Sequence, residues 1–224
     1  MIKPVLSLTE KLILFLVAAI VAAGYILFYT NLPLFEKYVE EDCTVEWLTV
    51  LGLVLGCAVC IIRFKNLVRL RNWWFLFVVL GLGLFLFFAA GEEISWGQRL
   101  FGIKSSEFFK EHNSQGETNL HNLIVDGVKL NKVIFSIGLI AAMGIYLAVV
   151  PVVYRKNEKL KNWINHSGIP VPRIYQVISI ALLFILTELI PHGKNAEILE
   201  AGIAFLFFLI IRYPENILIF KKDH

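Results

Sequence analysis

Charged residues are scarce in this chain. Only 17% of its 224 residues are Asp, Glu, Lys or Arg, against 58% hydrophobic, where a soluble domain carries about a quarter charged and about half apolar. The deficit argues against an ordinary soluble domain, because helices apolar on every side need lipid or a much larger protein around them. Cysteine is nearly absent, with three in all: Cys57 and Cys60 inside an apolar run and Cys43 alone in a loop. No disulfide framework follows, and no second pair completes a zinc site, so Cys57 and Cys60 read as small apolar-like helix residues. There is no Gly-x-Ser-x-Gly, no phosphate-cradling Gly-rich loop, no HExxH and no recognisable Ser/Cys–His–Asp spacing. The signatures of those hydrolase and nucleotide-binding classes are therefore missing. The net charge is only +3, and the basic residues lie in short loops. They read as membrane-topology signals, not as a nucleic-acid surface.

What is present is a series of apolar runs, at 11–30, 44–62, 73–90, 132–153, 174–192 and 197–213. Each has the length, around 20 residues, that crosses about 30 Å of hydrocarbon as a helix. Lys3 and Lys11 ahead of an apolar stretch resemble a signal peptide, but the run continues to Tyr29. That is too long for a typical signal core, so the expectation is an uncleaved first transmembrane helix. The fold class expected is an all-α membrane protein: one domain over 1–224, a bundle of about six transmembrane helices with a partly helical extracytoplasmic loop at 91–131. A connection that long usually has structure or a task, and part of it is expected to lie at or dip into the interface.

Loop charge sets the orientation. Arg63, Lys65, Arg69 and Arg71 follow the second run, Arg155, Lys156, Lys159, Lys161 and Arg173 follow the fourth, and Arg212, Lys221 and Lys222 end the chain. With six spans these regions share one side, which the positive-inside rule makes cytoplasmic. The expected location is the inner membrane of the cell, with both termini inside. Trp47 and Trp96 then fall near the outer interface, and Trp73, Trp74 and Trp163 near the inner one.

In this topology the unusual polar residues converge on the outer ends. Glu41, Asp42 and Glu46 precede or open the second span; Glu92, Glu93, Trp96, Gln98 and Arg99 follow the third. Asn113, Gln115, Glu117, Asn119, His121 and Asn122 occupy the long loop, Glu188 and His192 end the fifth span, and Glu200 opens the sixth. Adjacent carboxylates such as Glu92 and Glu93 need water, a partner or a metal at a membrane boundary. Arg99 has the fork to neutralise one of them or to hold a lipid phosphate. Glu117 and His121 are four apart; on a helix they share a face with Leu120, Ile124 and Val128. That suits either a ligand pair or a structural hydrogen bond, and both readings stay open. Glu188 and His192 repeat the spacing, with Pro191 between them. Glu197 reads as a solvated loop charge. Carboxylates with imidazoles suit zinc, manganese or iron, and bundles hold metals with inward-facing Glu and His.

The stretches Gly91-Glu-Glu-Ile-Ser-Trp-Gly-Gln-Arg-Leu-Phe-Gly102 and Asn113-Ser-Gln-Gly-Glu-Thr-Asn-Leu-His-Asn122 resemble patches in a family of small bacterial integral membrane proteins. Glu41-Asp-Cys-Thr-Val-Glu-Trp47 looks like a third shared patch. The resemblance implies that Glu41, Glu46, Glu92, Glu93, Trp96, Gln98, Arg99, Asn113, Gln115, Glu117, Asn119, His121 and Asn122 act together. It implies no particular reaction.

The function expected is a metal-dependent hydrolase or transferase acting on a lipid or lipid-linked substrate at the extracytoplasmic leaflet. Glu92, Glu93, Glu117 and His121 are the candidate catalytic residues. Glu46, Glu92, Glu93, Glu117, His121, Glu188 and His192 are the candidate ligands of a divalent metal (zinc, manganese, iron or calcium). Trp96, Gln98, Arg99, Asn113, Gln115, Asn119 and Asn122 are candidate substrate contacts, with Glu41, Asp42 and Glu200 nearby. The expected partners are membrane lipids, with a homo-oligomer or a membrane protein partner also open. Two other readings compete: a non-catalytic assembly subunit with a polar structural cluster, and a cation or proton-coupled transporter.

Overall fold

Apolar runs of this length, capped by short polar residues, produce helices almost throughout the computed structural model, which describes residues 6–40, 42–120, 122–125, 128–129 and 138–222. Helix α1 (Leu8–Thr30) starts at a capping box in which Ser7 and Glu10 satisfy each other's backbone N–H groups. Asn31 caps the short α2 (Leu32–Tyr38), α3 spans Thr44–Leu67, and Asn72 caps α4 (Trp73–Glu93). Two short helices follow, α5 (Gln98–Phe101) and α6 (Glu107–His112). A minimal antiparallel ribbon pairs β1 (Ile124–Val125) with β2 (Val128–Lys129). Then come α7 (Leu139–Lys156), α8 (Glu158–His166), α9 (Ile174–Glu188) and α10 (Asn195–Arg212).

Helices α1, α3 and α4 are long and apolar enough to cross a membrane, and α9 is apolar but shorter. Their outward faces show what surrounds them. Phe15 and Ile26 on α1, Val54 and Ile62 on α3, and Phe77, Leu84, Phe85 and Phe87 on α4 are all exposed. A soluble protein does not display that much contiguous apolar surface, so the fold fits an integral membrane protein.

Helix α10 is the centre of the packing. Ala201, Gly202, Ala204, Phe205, Leu206, Leu209, Ile210 and Ile211 are buried on all sides of it, as expected of a helix without a polar face. Small residues let the neighbours close on it. A Cβ on Gly52 of α3 would lie 2.8 Å from Ala204 Cβ and 2.9 Å from the Ala204 carbonyl carbon. Gly24 of α1 is likewise filled by Ile198, and Gly202 faces Leu183 of α9. Gly83 of α4 packs on Cys60 of α3, and Cys57 and Cys60 are buried free thiols in that contact, as the sequence implied. Gly56 of α3 meets Leu86 of α4 and Ile211 of α10, so Gly52 and Gly56 both pack α3 against helices of the same chain.

At the end opposite the α4 C-terminus, Glu10 accepts from the Tyr175 hydroxyl at 2.6 Å and pairs with Arg173 at 3.1 Å. Gln176 donates to the carbonyls of Leu209 and Tyr213. These contacts fix α1, α9 and α10 to one another. The starts of α3 and α10 and the end of α4 then meet at the other end, where Glu46, Glu92, Glu93, Glu197 and Glu200 gather.

Two expectations change. The fifth apolar run extends to 192 in the sequence, but α9 stops at Glu188, consistent with Pro191, which removes a backbone donor and crowds the preceding turn. The fourth was read as 132–153; the helix found is α7, and residues 131–137 lie outside the described ones.

Candidate functional site

A cavity of about 160 Å³ lies where these helix ends meet, lined by Glu46, Glu92, Glu93, Arg99, Gln115, Glu117, Asn119, Asn122, Glu197 and Glu200. Glu46 comes from the first turn of α3, Glu92 and Glu93 from the last of α4, and Glu197 and Glu200 from the start of α10. The remainder come from the segment between α4 and α7. Six carboxylates thus face one space, and among the described lining residues the only basic group is Arg99.

Arg99 is the node of the site. Its Nε lies 2.8 Å from Asp42 Oδ2, one terminal nitrogen 2.9 Å from Glu46 Oε1, and the other 3.0 Å from Glu117 Oε1. Each guanidinium nitrogen therefore lies against a different carboxylate, the two terminal nitrogens as hydrogen-bond donors and Nε as a charge contact, a spread that a compact ammonium does not match. The three acids belong to three separate stretches of chain, so the ion pairs join the α2–α3 connection, α3 and the segment between α4 and α7. Glu46 also accepts from the backbone N–H of Asp42, where Asp42 adopts a positive φ of 59°.

Glu92 is spoken for as well: it accepts from Trp96 Nε1 at 2.8 Å and from the Leu120 N–H at 2.6 Å. This grip explains an unusual turn. Ser95, Trp96 and Gly97 have φ of 47°, 55° and 75° in succession. Left-handed backbone costs a non-glycine residue roughly 1–2 kcal/mol, so the surroundings must hold it. Trp96 is held by Glu92 and by edge contacts with Phe87 and Phe88. The Ser95 hydroxyl donates to Glu117 Oε2 and accepts from Asn119 Nδ2.

The loop is organised by amides. The Asn113 side-chain oxygen accepts from the N–H groups of Gln115 and Glu117, and its nitrogen donates to Asn119 at 2.8 Å. Asn119 accepts from the Asn122 N–H, and Asn122 donates to the Gln115 side chain. Gln98 accepts from the Thr118 N–H at 2.7 Å and donates to Ser105 Oγ at 2.6 Å. Asn113 and Asn119 are buried, and a buried amide network of this kind rigidifies when its members are satisfied.

One expectation about this loop is corrected. The region from Glu117 is not the helix on whose face Glu117 was paired with His121: Gly116 takes φ 69°, Asn113 bridges to Leu123, and β1 follows. Asn113 supplies the turn with side-chain hydrogen bonds in place of helical ones. Glu117 reaches the cavity through that turn. Gln98 and Asn113, read as substrate contacts, do not line the cavity and serve as braces for the loop.

The remaining predicted residues divide. Glu188 is exposed and does not line the cavity. His192 sits edge-on to Phe28 and Phe35, with ring centroids 6.2 and 4.9 Å away, and its Nδ1 accepts from the Lys194 N–H. With α9 ended at Glu188, the four-residue spacing no longer places the two on one helical face. Glu197, read as a solvated loop charge, faces the cavity beside Glu200. Glu41 and His121 lie outside the described residues. Ser95, Ser105 and Thr118 were not anticipated; hydroxyls at loop positions carry no periodic signal that would have marked them.

Two acids stand apart. Glu93 and Glu200 line the cavity, yet among the described residues neither makes a hydrogen bond or ion pair. Glu93 lies in the field of Glu46, Glu92 and Glu197, and Glu200 in that of Glu93 and Glu197. Among the described residues, no group of three or more His, Cys, Asp or Glu side chains is arranged to hold a metal ion. What the site offers is a pair of open carboxylates with amide groups nearby, held by an Arg99-centred frame. Comparison with known protein families, curated proteins and solved structures gives no match.

Proposed function

We propose that this protein is a multi-pass enzyme of the inner membrane, with about six spans, both termini cytoplasmic and the acidic cavity at the extracytoplasmic leaflet. In this reading the cavity binds a divalent cation and uses it to hydrolyse, or to transfer a group of, a lipid or lipid-linked substrate. The observation that carries the reading is the pair Glu93 and Glu200, two carboxylates facing a cavity already crowded with negative charge. A purely structural cluster gains nothing from such a pair, since polar groups near a membrane are costly unless satisfied. An all-oxygen donor set with one or two carboxylates suits a hard cation that keeps several waters. Manganese or calcium therefore fits the described residues better than zinc or iron. The cation would polarise a bound water and lower its pKa. A neighbouring carboxylate would accept its proton as the oxygen attacks the ester or phosphoryl centre of the head group, and would return it to the leaving oxygen as that bond breaks, with Gln115 and Asn122 orienting the polar head. Arg99 serves as frame, not as substrate contact.

The test is metal binding by purified protein without a histidine tag, beside the double variant Glu93→Gln/Glu200→Gln. A stoichiometric divalent ion in the wild type, lost in a variant that still folds, is the expected result. A well-folded wild type that binds no manganese or calcium at millimolar concentration rejects it.

One observation favours a second reading, the non-catalytic assembly subunit. The three carboxylates on Arg99 and the amide network weld the loop to the bundle, as a structural plug would. A membrane partner that co-purifies in mild detergent with metal-free protein, and separates on Arg99→Met, would select it.

A further inference from the structure

The segment 96–108 is inside out for a loop in water. Three of its polar members, Gln98, Arg99 and Ser105, turn inward to bind Thr118, Glu46, Glu117 and Asp42, while Lys104, Ser106 and Glu107 stay exposed at its far end. Its large apolar members turn outward: Leu100 is 57% exposed, Phe101 77%, Ile103 58% and Phe108 53%. In contact with water this arrangement would expose a contiguous apolar patch of the kind that marks a binding surface.

The patch is not isolated. The exposed Phe87 on the last turns of α4 meets Trp96, with ring centroids 6.2 Å apart, and Trp96 is itself 44% exposed. The apolar side chains that α4 exposes are therefore followed by Trp96, Leu100 and Phe101, each exposed in turn. Charge resumes at Lys104 and then on α6, where Glu107, Lys110 and Glu111 are exposed. A stretch with aromatic and aliphatic residues on one side and polar groups at its edge is the pattern of an element lying in the plane of a membrane interface, and Lys104 can extend to the headgroups while its stem stays apolar.

We infer that residues 96–108 form a wedge inserted into the leaflet, with Leu100, Phe101, Ile103 and Phe108 seated among lipid chains. The occupant of this surface is lipid, because the patch continues the lipid-facing band of a membrane-length helix. The consequence for the site is positional. Residues 98–101 carry the lipid-seated Leu100 and Phe101 and, on the other side, Arg99, so the bilayer itself holds one wall of the acidic cavity at headgroup depth. The inference needs only the membrane placement of the helices; it is independent of any cation chemistry in the cavity.

The experiment uses full-length protein in phosphatidylcholine/phosphatidylglycerol vesicles, with Cys43→Ser, Cys57→Ala and Cys60→Ala as background. A nitroxide is attached through Phe101→Cys, Ile103→Cys or Phe108→Cys, with Glu111→Cys as the water-facing reference. Collision with oxygen is expected to dominate over collision with a nickel chelate at 101, 103 and 108, severalfold more than at 111. Nickel access at 101 and 103 equal to that at 111 would overturn the wedge. Exclusion of both probes there would also overturn it, since a protein partner would then cover the patch. Should the cysteine-free background fail to fold, Phe101→Trp in the native chain gives a second reading. Bromines on lipid chains should quench the added fluorescence, and an unquenched increment rejects the insertion.

Discussion

Replacing Arg99 with Met tests whether this residue is the frame of the site. The substitution keeps the stem and removes the guanidinium from three carboxylates at once. The Asp42 side chain is 45% exposed, and such a pair contributes only about 0–1 kcal/mol. The other two differ: the side chains of Glu46 and Glu117 are 7% and 15% exposed. Removing one partner of a buried ion pair costs about 3–5 kcal/mol, because a buried charge is left uncompensated. Glu117 keeps its hydrogen bonds from Ser95 and Asn119, and Glu46 keeps that from Asp42 N–H. The two losses therefore overlap, and the net destabilisation expected remains about 3–5 kcal/mol. Reversible unfolding in mixed micelles measures it. Arg99→Lys should recover only part of the loss, since a compact ammonium does not span the positions that the planar guanidinium fork reaches. The sharper reading is a double-mutant cycle with Glu46→Gln. If the pair is real, the double variant is less destabilised than the sum of the singles, by about 1–3 kcal/mol. Additivity within about 0.5 kcal/mol, or a loss below about 1 kcal/mol for Arg99→Met, would refute the argument.

Other outcomes follow from single contacts. Gly52→Val should destabilise by about 1–3 kcal/mol, because the added atoms collide with the Ala204 backbone. Gly81→Ala, at a helix site with open space, should leave stability unchanged or raise it by about 0.5–1 kcal/mol; detergent melts compare the two. Gly97→Ala should cost about 1–2 kcal/mol in the same melts, with φ at 75° and the new Cβ 2.9 Å from the Phe101 ring. Manganese or calcium at a hundred times its dissociation constant should stabilise the wild type by about 2.7 kcal/mol, and should do nothing for Glu93→Gln/Glu200→Gln.

How much of this was legible in the sequence depends on how local each signal is. The apolar runs of α1, α3 and α4 announce themselves, because lipid demands length and composition together. Glu92, Glu93 and Arg99 stand out because charge just past such a run is costly and therefore purposeful. The Glu117 turn was not legible, because a wheel drawn through 117–126 ignores what Asn113 does to the backbone at 115 and 117. Glu188 and His192 misled for a related reason: i,i+4 spacing carries meaning only inside a helix, and α9 has ended before Pro191. Glu197 looked solvated because nothing local says that α10 is the central helix, with its first turn facing the acids of α3 and α4. Helix neighbours, which decide this, come from tertiary packing such as Gly52 on Ala204.

The division of the acids into held and open ones carries the functional argument. Asp42, Glu46 and Glu117 pair with Arg99, and Glu92 fixes the left-handed turn that presents Arg99 to them. Without Glu92, Trp96 has no acceptor to hold it at positive φ, and the register of Gln98 and Arg99 against the loop is released. Substituting Glu92 should therefore loosen the frame even though its side chain faces the same cavity as Glu93. Substituting Glu93 should leave the frame intact, since no held residue depends on it for a hydrogen bond or ion pair. Neighbours in sequence and alike in chemistry, the two glutamates are predicted to separate cleanly: Glu92→Ala shows first in unfolding, and Glu93→Gln shows only in binding. Equal loss of stability from both would mean that the open pair is part of the frame after all.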